Sequence, residues 1–464
     1  MIEFINEEIA TEVIKEAASH GADFAEVFCQ YRTVTQIRFE EGKVQDISSG
    51  IDCGAGVRAV KGDLAAFAHT DILERAQLLK AASAVSEALK YATGSVAISP
   101  QSSSVTPPVV KETGTGNHDP RKVVEILRQC DEEARSQGKE IKQVTVVHAE
   151  ATEHFLIANS LGEITRDAVE RTRFVIQVIA SRDGENQTGQ ETAGSLLGRA
   201  FYDSVDVVRL AREAATRALT MLDAKPSPAG RMPVVVNAGT GGVLIHEACG
   251  HGMELDQVLK GASVYAGKEG QKVASSLVTV ADDPTIFGLW GSYSLDDEGT
   301  PSSETILIEN GRLVGFLSGR HEAMRSGRIS SGNGRRQSYK HVPIPRMSNT
   351  FIKAGTATHD EIISSTRKGI FARKLGGGQV DPVTGDYVFS VMEGYTIEKG
   401  ELGYPVRGAV LIGNGPRTLE MMEAVGNNLS WEIGTCGKDG QSVPVGTGCP
   451  TLRIAELTVG GTET

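Results

Sequence analysis

The chain has 464 residues, of which 40% are hydrophobic, 23% are charged and only 5% are aromatic, and its formal net charge is −12. This profile is typical of a soluble globular protein with room for two domains. The acidic balance argues against a nucleic-acid-binding protein, which needs a basic surface to displace phosphate counterions. The distribution of apolar residues argues against membrane-spanning helices, because no segment has the ~20 consecutive apolar residues of a membrane span.

The start of the chain is acidic and amphipathic, and the six cysteines are scattered along its length. A signal peptide is basic and then apolar, and a disulfide framework is typical of short secreted chains. Neither pattern is present, so the sequence predicts a cytoplasmic protein with reduced cysteines.

The first half of the chain combines helical and strand patterns. Apolar residues at helical spacing predict helices over 7–19, 71–92, 120–137 and 205–222. Alternating polar and apolar residues predict an antiparallel meander over 22–68 and strands over 141–149, 153–159 and 172–181. The Ser/Pro/Thr/Gly-rich stretch 94–117 between them predicts an exposed loop.

A polar segment with two prolines, residues 223–231, predicts a linker between two domains, 1–225 and 226–464. Strand and glycine signals dominate beyond it, with brief helical stretches near 243–250, 359–367 and 417–425. We therefore predict an α+β protein, in which a mixed helix-and-strand N-terminal domain precedes a strand-rich C-terminal domain that carries a metal site.

The metal site is predicted from a short motif at the start of the second domain. His246 and Glu247 are adjacent, and His251 follows five residues after His246. Imidazoles bind zinc, and a neighbouring carboxylate can remove a proton from zinc-bound water, whose pKa the metal lowers to about 7. The motif predicts a zinc hydrolase with Glu247 as general base; its alternative is two hydrogen-bonded histidines near a helix end.

The five-residue spacing excludes a regular α-helix between the two histidines. Residues four apart lie about 40° apart around an α-helix, whereas residues five apart lie about 140° apart. Both imidazoles can reach one ion only if the backbone departs from the α-helix, through a π-bulge or through a helix end at Gly250. Glycine lowers the cost of such a break.

A catalytic zinc site needs a third protein ligand. The nearby candidates are Cys249, Glu254 and Asp256, and the distant candidate is Cys436 in a glycine-flanked segment. Cys249 lies between the two histidines and is expected to point away from an ion that they share. The residues alone favour Cys436 only slightly, because a free cysteine is commonly a small buried residue. Cys449 is interpreted as a bystander.

Several segments of the second domain resemble the TldD/PmbA peptidase family. The first is HEACGHGMELD at 246–256, and the others span 319–352, 376–416 and 436–461, the last beginning CGKDGQSVPVGTGCPTLRI. The resemblance covers essentially the whole second domain and, more loosely, the order of helices and strands in the first.

The resemblance implies a zinc-dependent endopeptidase that acts on unfolded polypeptides. It implies that His246, His251 and Cys436 hold zinc and that Glu247 is catalytic, and all four residues are present. The PmbA-like (TldE) branch of the family lacks the metal-binding residues, so the chain resembles the TldD branch. The resemblance also implies a dimer, either a heterodimer with a PmbA/TldE-like paralogue or a homodimer, which admits flexible chains to an enclosed cavity.

Four further residues are candidate substrate contacts. The guanidinium groups of Arg335 and Arg336 could clamp a substrate carboxylate or carbonyl, and His321 and Tyr395 could stabilise a tetrahedral oxyanion. For the arginines the alternative is a solvated loop, and for His321 and Tyr395 it is a structural role. The glycines within 376–380 would suit backbone pairing between a strand edge and an extended peptide.

Two other functions compete with the peptidase. A peptide-binding or assembly subunit would hold peptides without cutting them, and a zinc hydrolase of another bond, such as an amidase, would use the same metal chemistry. The complete ligand set together with Glu247 favours the peptidase over the subunit without activity.

Overall fold

A computed structural model describes residues 6–92, 110–111, 116–381 and 383–461. The exposed loop predicted over 94–117 falls almost entirely outside these residues. The predicted α+β class is confirmed, since helices and strands share the first half and strands prevail in the second. Among the helices of the described residues, none is long and apolar enough to cross a membrane.

The first half forms one antiparallel sheet with the strand order β3-β2-β1-β4-β5-β6. Its strands are β1 (Phe24–Glu40), β2 (Lys43–Lys61), β3 (Leu64–Thr70), β4 (Ile141–Asn159), β5 (Ile164–Arg182) and β6 (Glu185–Ser195). Its helices are α1 (Glu7–Ala17), α2 (Arg75–Leu89), α3 (Pro120–Ser136), α4 (Phe201–Ser204) and α5 (Val207–Leu222). The predicted meander is confirmed as β1–β3, whereas the two strands predicted within 141–159 are one continuous strand, β4.

Two similar halves of this sheet meet at the antiparallel β1–β4 pair. In each half a helix precedes three antiparallel strands and a second long helix follows them. Helices α1 and α2 pack on the strands of their own half, as do α3 and α5. The side chains of Asn6, Asp119 and Asp206 accept backbone N–H groups at the starts of α1, α3 and α5, which satisfies donors that the helices leave unpaired.

The second half contains two large sheets and one two-stranded sheet. Its strands are β7 (Lys225–Pro226), β8 (Gly230–Val236), β9 (Val280–Asp282), β10 (Thr305–Glu309), β11 (Arg312–Leu313), β12 (Gly334–Arg335), β13 (Ile344–Pro345), β14 (Asn349–Ile352), β15 (Lys368–Val380), β16 (Asp386–Glu398), β17 (Glu401–Arg407), β18 (Val410–Asn414), β19 (Met422–Val425), β20 (Ser430–Lys438), β21 (Gln441–Cys449) and β22 (Leu452–Gly460). Its helices are α6 (Gly241–Ile245), α7 (Leu255–Leu259), α8 (Arg320–Ser326), α9 (His359–Ser364) and α10 (Gly415–Glu420). The predicted domain boundary after residue 225 falls within β7, which pairs with β17, and stays a prediction.

Five strands of the larger sheet close on themselves, because β15 pairs with β8 on one side and with β16 on the other, and β22 and β18 complete the circuit. The second sheet has the order β11-β10-β9-β14-β21-β20. Consecutive strands β21 and β22 belong to different sheets, so the chain joins the two sheets directly. Apolar residues from both sheets and from α6 form one continuous core.

The second half of the chain covers the face of the N-terminal sheet that the helices leave open. Side chains alternate along β1, so Val27 packs with α1 and α2, whereas Phe28 packs with Tyr339 of the C-terminal half. This arrangement explains why β1 is buried on both faces from Phe24 to Gln30.

A buried ion cluster joins the two halves at this interface. The Arg58 guanidinium contacts the carboxylates of Glu26 and Glu298, and Arg336 donates to Glu26 at 2.7 Å. All four side chains are at most 2% exposed. Such a cluster adds little net stability when complete, but loss of one partner leaves an uncompensated buried charge.

We predict that Arg58→Met lowers the free energy of unfolding by about 3–5 kcal/mol, because it leaves the buried carboxylates of Glu26 and Glu298 without their shared cation. Urea unfolding followed by circular dichroism measures the change. Arg75→Met is the matched control, since Arg75 pairs with Glu12 on the surface, where ion pairs contribute little. Equal midpoints for the two variants would contradict the prediction.

Candidate metal centre

The segment that carries the predicted ligands lies between the two C-terminal sheets. Helix α6 and the turn that follows it pack against β14, β15, β16 and β21. A Cβ atom at Gly242 would lie 2.5 Å from the carbonyl carbon of Thr447 in β21, so glycine allows the helix to lie directly on that strand. Because β20 pairs with β21, this packing places Cys436 of β20 next to the histidines.

The backbone departs from the α-helix between the two histidines, as the five-residue spacing predicts. Residues His246–Gly250 form a π-helical turn, and His251–Met253 form a 3₁₀ turn. A π-helical turn bonds residues five apart, which brings His246 and His251 to nearly the same face.

Gly250 serves this turn in a way that the sequence does not reveal. Its φ and ψ are −55° and −57°, values that any residue adopts, so backbone freedom is not the reason for glycine. A Cβ atom here would lie 1.9 Å from the sulfur of Met347. The glycine therefore makes room for a buried side chain from the segment between β13 and β14.

The three predicted ligand atoms meet at this turn. Cys436 Sγ lies 3.2 Å from His246 Nε2 and 3.4 Å from His251 Nε2, and the two imidazole rings are nearly perpendicular. With Zn–N bonds of about 2.0–2.1 Å and a Zn–S bond of about 2.3 Å, ligand atoms of a tetrahedral zinc site lie about 3.4–3.6 Å apart. The observed spacing fits such an ion with small adjustments.

The two imidazoles favour the thiolate form of Cys436. Burial disfavours its thiolate, but the charge of His246 and hydrogen bonds from His246 and His251 outweigh burial and lower the pKa of Cys436 to about 4. The thiolate is the form that binds metals. Burial instead raises the pKa of Cys249 to about 12, and Cys249 Sγ contacts the Ile245 carbonyl oxygen at 3.1 Å.

The two local carboxylates that were alternative ligands contact a lysine instead. Lys438 Nζ lies 3.0 Å from Glu254 Oε2 and 2.7 Å from Asp256 Oδ1. Glu254 Oε2 also lies 3.1 Å from Nδ1 of His251. Burial opposes the ionisation of Glu254, but the charges of Lys438 and His251 lower its pKa to about 2. Glu254 thus holds the His251 ring by the nitrogen that faces away from Cys436.

Arg346 fixes the strand hairpin that carries Cys436. The side chain is fully buried, and its guanidinium donates to the carbonyl oxygens of Cys436 at 2.6 Å and Gln441 at 3.3 Å. Sequence reasoning misses Arg346, because its partners lie about 90 residues further along the chain. Lys438 has a local signal, since it is two residues after Cys436 and its side chain lies on the same side of β20.

Glu247 lies beside the ligand atoms, with Oε2 3.9 Å from His251 Nε2 and 19% of its side chain exposed. It lines a cleft of about 620 Å³ together with all three predicted ligands. The cleft is also lined by the end of β15, including Gly376 and Gln379, and by β20. A carboxylate, two imidazoles and a thiolate therefore share one solvent-accessible cleft.

The predicted arginine contacts lie elsewhere. Arg335 donates to the carbonyl oxygens of Met347 and Pro444, and its guanidinium lies over the Tyr293 ring. Arg336 belongs to the buried ion cluster of the domain interface. Both guanidinium groups are buried by protein contacts, and neither residue lines the cleft.

His321 and Tyr395 are also outside the cleft lining. Burial and the nearby Arg58 lower the pKa of His321 to about 4, which makes it a neutral residue of the domain interface. The Tyr395 hydroxyl donates to Glu393 at 2.8 Å in a neighbouring cleft, which shares Glu432 and Ile433 with the metal cleft. The structure thus brings together His246, Glu247, His251 and Cys436 and does not add the four predicted substrate contacts, which stay predictions.

Comparisons with known proteins show the family of the chain. Three models of PmbA/TldA metallopeptidases match the chain: domain 1 at 25–90, the central domain at 116–222 and the C-terminal domain at 229–461. The chain is 39% identical to a metalloprotease TldD homolog of Haemophilus influenzae over 97% of this chain and 95% of that protein. It is 25% identical to a zinc metalloprotease TldD homolog of Saccharolobus solfataricus over 97% and 99% of the two chains.

A solved structure shares the fold across the whole chain. The crystal structure of TldE from Thermococcus kodakarensis superimposes with a TM-score of 0.76 at 18% identity, over 98% of this chain and all of that one. Both the family models and the relative from Haemophilus influenzae span nearly the full length. The chain therefore belongs to the PmbA/TldD family of metallopeptidases.

Proposed function

We propose that the chain is a zinc-dependent endopeptidase that cleaves unfolded or flexible polypeptides. The observation that carries the proposal is the approach of Cys436 Sγ to within 3.2 Å and 3.4 Å of the two imidazoles, with Glu247 beside them in an open cleft. These groups come from segments about 190 residues apart, so their meeting is not a by-product of local sequence.

The ligand chemistry supports zinc as the metal. One thiolate and two imidazoles suit zinc, whereas magnesium and calcium prefer oxygen ligands. A zinc ion with three protein ligands keeps a position for water, lowers the pKa of that water to about 7 and polarises a substrate carbonyl. The relative from Saccharolobus solfataricus carries zinc in its name.

Glu247 is the proposed general base. Its carboxylate is close to His251 Nε2, yet it is partly exposed to the cleft rather than enclosed with the ligands. In the proposed reaction it accepts a proton from water in the cleft and returns that proton to the leaving amine nitrogen. A subunit that only held peptides would have no use for this carboxylate, which is why the peptidase is preferred.

The end of β15 supports an extended peptide as substrate. Pairing between β15 and β8 ends at Ala372 in the described chain, while Gly376, Gln379 and Val380 line the cleft beyond it. A Cβ atom at Gly377 would meet no other atom within 4 Å, so one face of the strand is open at this position. Pairing with a strand edge reads the substrate backbone rather than its side chains, and it requires a chain that is not folded.

The proposed assembly is a dimer with a PmbA/TldE-like paralogue or with a second copy. The fold shared with TldE supports this pairing, since two chains of one fold can associate about a common approximate two-fold axis. Peptidase activity is therefore measured for the purified chain alone and for the chain mixed with such a partner.

The first prediction concerns zinc stoichiometry at the metal centre. Wild type holds one zinc in the cleft, and Cys436→Ser loses it after dialysis against a weak chelator, because serine does not supply a thiolate. Cys249→Ser is the matched control and keeps the zinc, since Cys249 lies outside the ligand group. Metal analysis of the purified chains measures the content. Equal zinc in the Cys436→Ser chain and in wild type would overturn the ligand assignment.

The second prediction separates metal binding from catalysis. Glu247→Gln keeps its zinc but cleaves an unfolded polypeptide about 10²–10⁴-fold more slowly, because the amide cannot accept the proton. Mass spectrometry of the products gives the rate and also distinguishes peptide cleavage from amidase activity. Full activity in the variant, with or without a PmbA-like partner, excludes Glu247 as the base.

The third prediction tests the carboxylate behind His251. Glu254→Gln lowers zinc affinity about 10–100-fold, as is usual when a ligating histidine loses its carboxylate partner. Glu401→Gln, on an exposed strand of the C-terminal half, is the control with the same chemical change. Competition with a chromophoric chelator measures affinity. Unchanged affinity in Glu254→Gln means that the ring is held without this contact.

A further inference from the structure

A second group of metal-ligating side chains lies in the N-terminal half, remote in sequence from the metal centre. His148 and Glu150 project from the same face of β4, and His118 lies in the segment that leads into α3. Val144 and Val146 of that face pack under α3 and α5. The three polar side chains therefore lie on the helix-covered side of the sheet, at the edge of an apolar core.

The three side chains converge on one oxygen atom. Glu150 Oε2 lies 2.9 Å from His118 Nδ1 and 3.6 Å from His148 Nε2. In a tetrahedral zinc site with nitrogen and oxygen ligands, neighbouring ligand atoms are about 3.3–3.4 Å apart. The two observed distances bracket that value, and the ligand atoms of all three residues lie within 4.8 Å of one another.

The tyrosine behind His148 orients its ring for such a site. The Tyr202 hydroxyl lies 2.8 Å from His148 Nδ1, and the two rings stack at 5.8 Å between centroids. His148 Nε2 is then directed toward the Glu150 carboxylate at a distance too long for a hydrogen bond. Ligating histidines regularly have a hydrogen-bond partner of this kind on the other ring nitrogen.

The burial of the three side chains distinguishes a structural metal site from a catalytic one. The exposed fractions of the His118, His148 and Glu150 side chains are 9%, 1% and 10%, so a substrate has no approach. Two imidazoles and one carboxylate are a common ligand set for zinc. A water molecule would complete the four ligands of such an ion, and an ion that no substrate can approach would serve to fasten the segments that supply its ligands.

We propose that His118, His148 and Glu150 form a second, structural site for a divalent transition-metal ion such as zinc, separate from the peptidase centre. The ion fastens the start of α3 to β4. The same segment is also held by Arg199, whose side chain donates to the Asn117 carbonyl oxygen at 2.8 Å. The alternative is a metal-free cluster, in which imidazole protons and the His118 backbone N–H, which donates to Glu150 Oε2 at 3.1 Å, bind the carboxylate.

Zinc counting on the full-length chain tests the proposal. After zinc loading and dialysis against a weak chelator, wild type is expected to retain two zinc ions per chain, and His118→Gln one. Glu150→Gln, which keeps the size of the side chain, is a second variant should His118→Gln fail to fold. His154→Gln, an exposed histidine of the same strand, is the control and retains two.

The two sites give different spectra with cobalt(II), since only a thiolate ligand produces sulfur-to-metal charge-transfer absorption in the near ultraviolet. The Cys436→Ser chain is expected to lose that absorption and to keep one cobalt ion. The double variant Cys436→Ser/Glu150→Gln is expected to lose this second ion too. A metal count that is the same in wild type, His118→Gln and Glu150→Gln overturns the proposal. If only the peptidase centre fails to bind metal, wild type retains one ion, and the Cys436→Ser chain retains it as well.

Discussion

The metal centre depends on how closely the segment with the two histidines approaches the strands around it. At Gly242 the helix lies on the backbone of β21, and at Gly250 the π-helical turn meets the sulfur of Met347. A methyl group at Gly242 would force the segment away from β21, and one at Gly250 would displace the buried Met347 side chain. Since ligand atoms must be held within about 0.5 Å of their working positions, these two close approaches help to position the candidate site.

Much of this centre could be predicted from the sequence, for reasons that differ between residues. His246, Glu247 and His251 are neighbours in the chain, and their spacing alone required a departure from the α-helix. Cys436 is distant, and the residues favoured it only slightly until the resemblance to a family supplied the link. The contacts of Glu254 with Lys438 and of Arg346 with Cys436 could not be predicted, because only the tertiary fold brings these partners near.

The secondary-structure elements also differ in how well the sequence predicts them. Long elements with a clear period, such as α3, α5 and the β1–β3 meander, match their predictions. Helices α7 and α8 were missed, because five and seven residues are too few to establish a helical period. For Arg335 and Arg336 the sequence left a substrate clamp and a solvated loop as alternatives. Tertiary packing buries both side chains against backbone oxygens and acidic partners, which sequence patterns do not reveal.

The separation of the ligands along the chain has a consequence for biosynthesis. Cys436 follows His251 by 185 residues, and domains form in order as the chain leaves the ribosome. For most of its synthesis the nascent C-terminal domain therefore displays two imidazoles and no thiolate, a weak and incomplete binding site. At the proposed site, metal acquisition therefore follows formation of the β20–β21 hairpin. A chain released before residue 436 lacks the proposed third ligand.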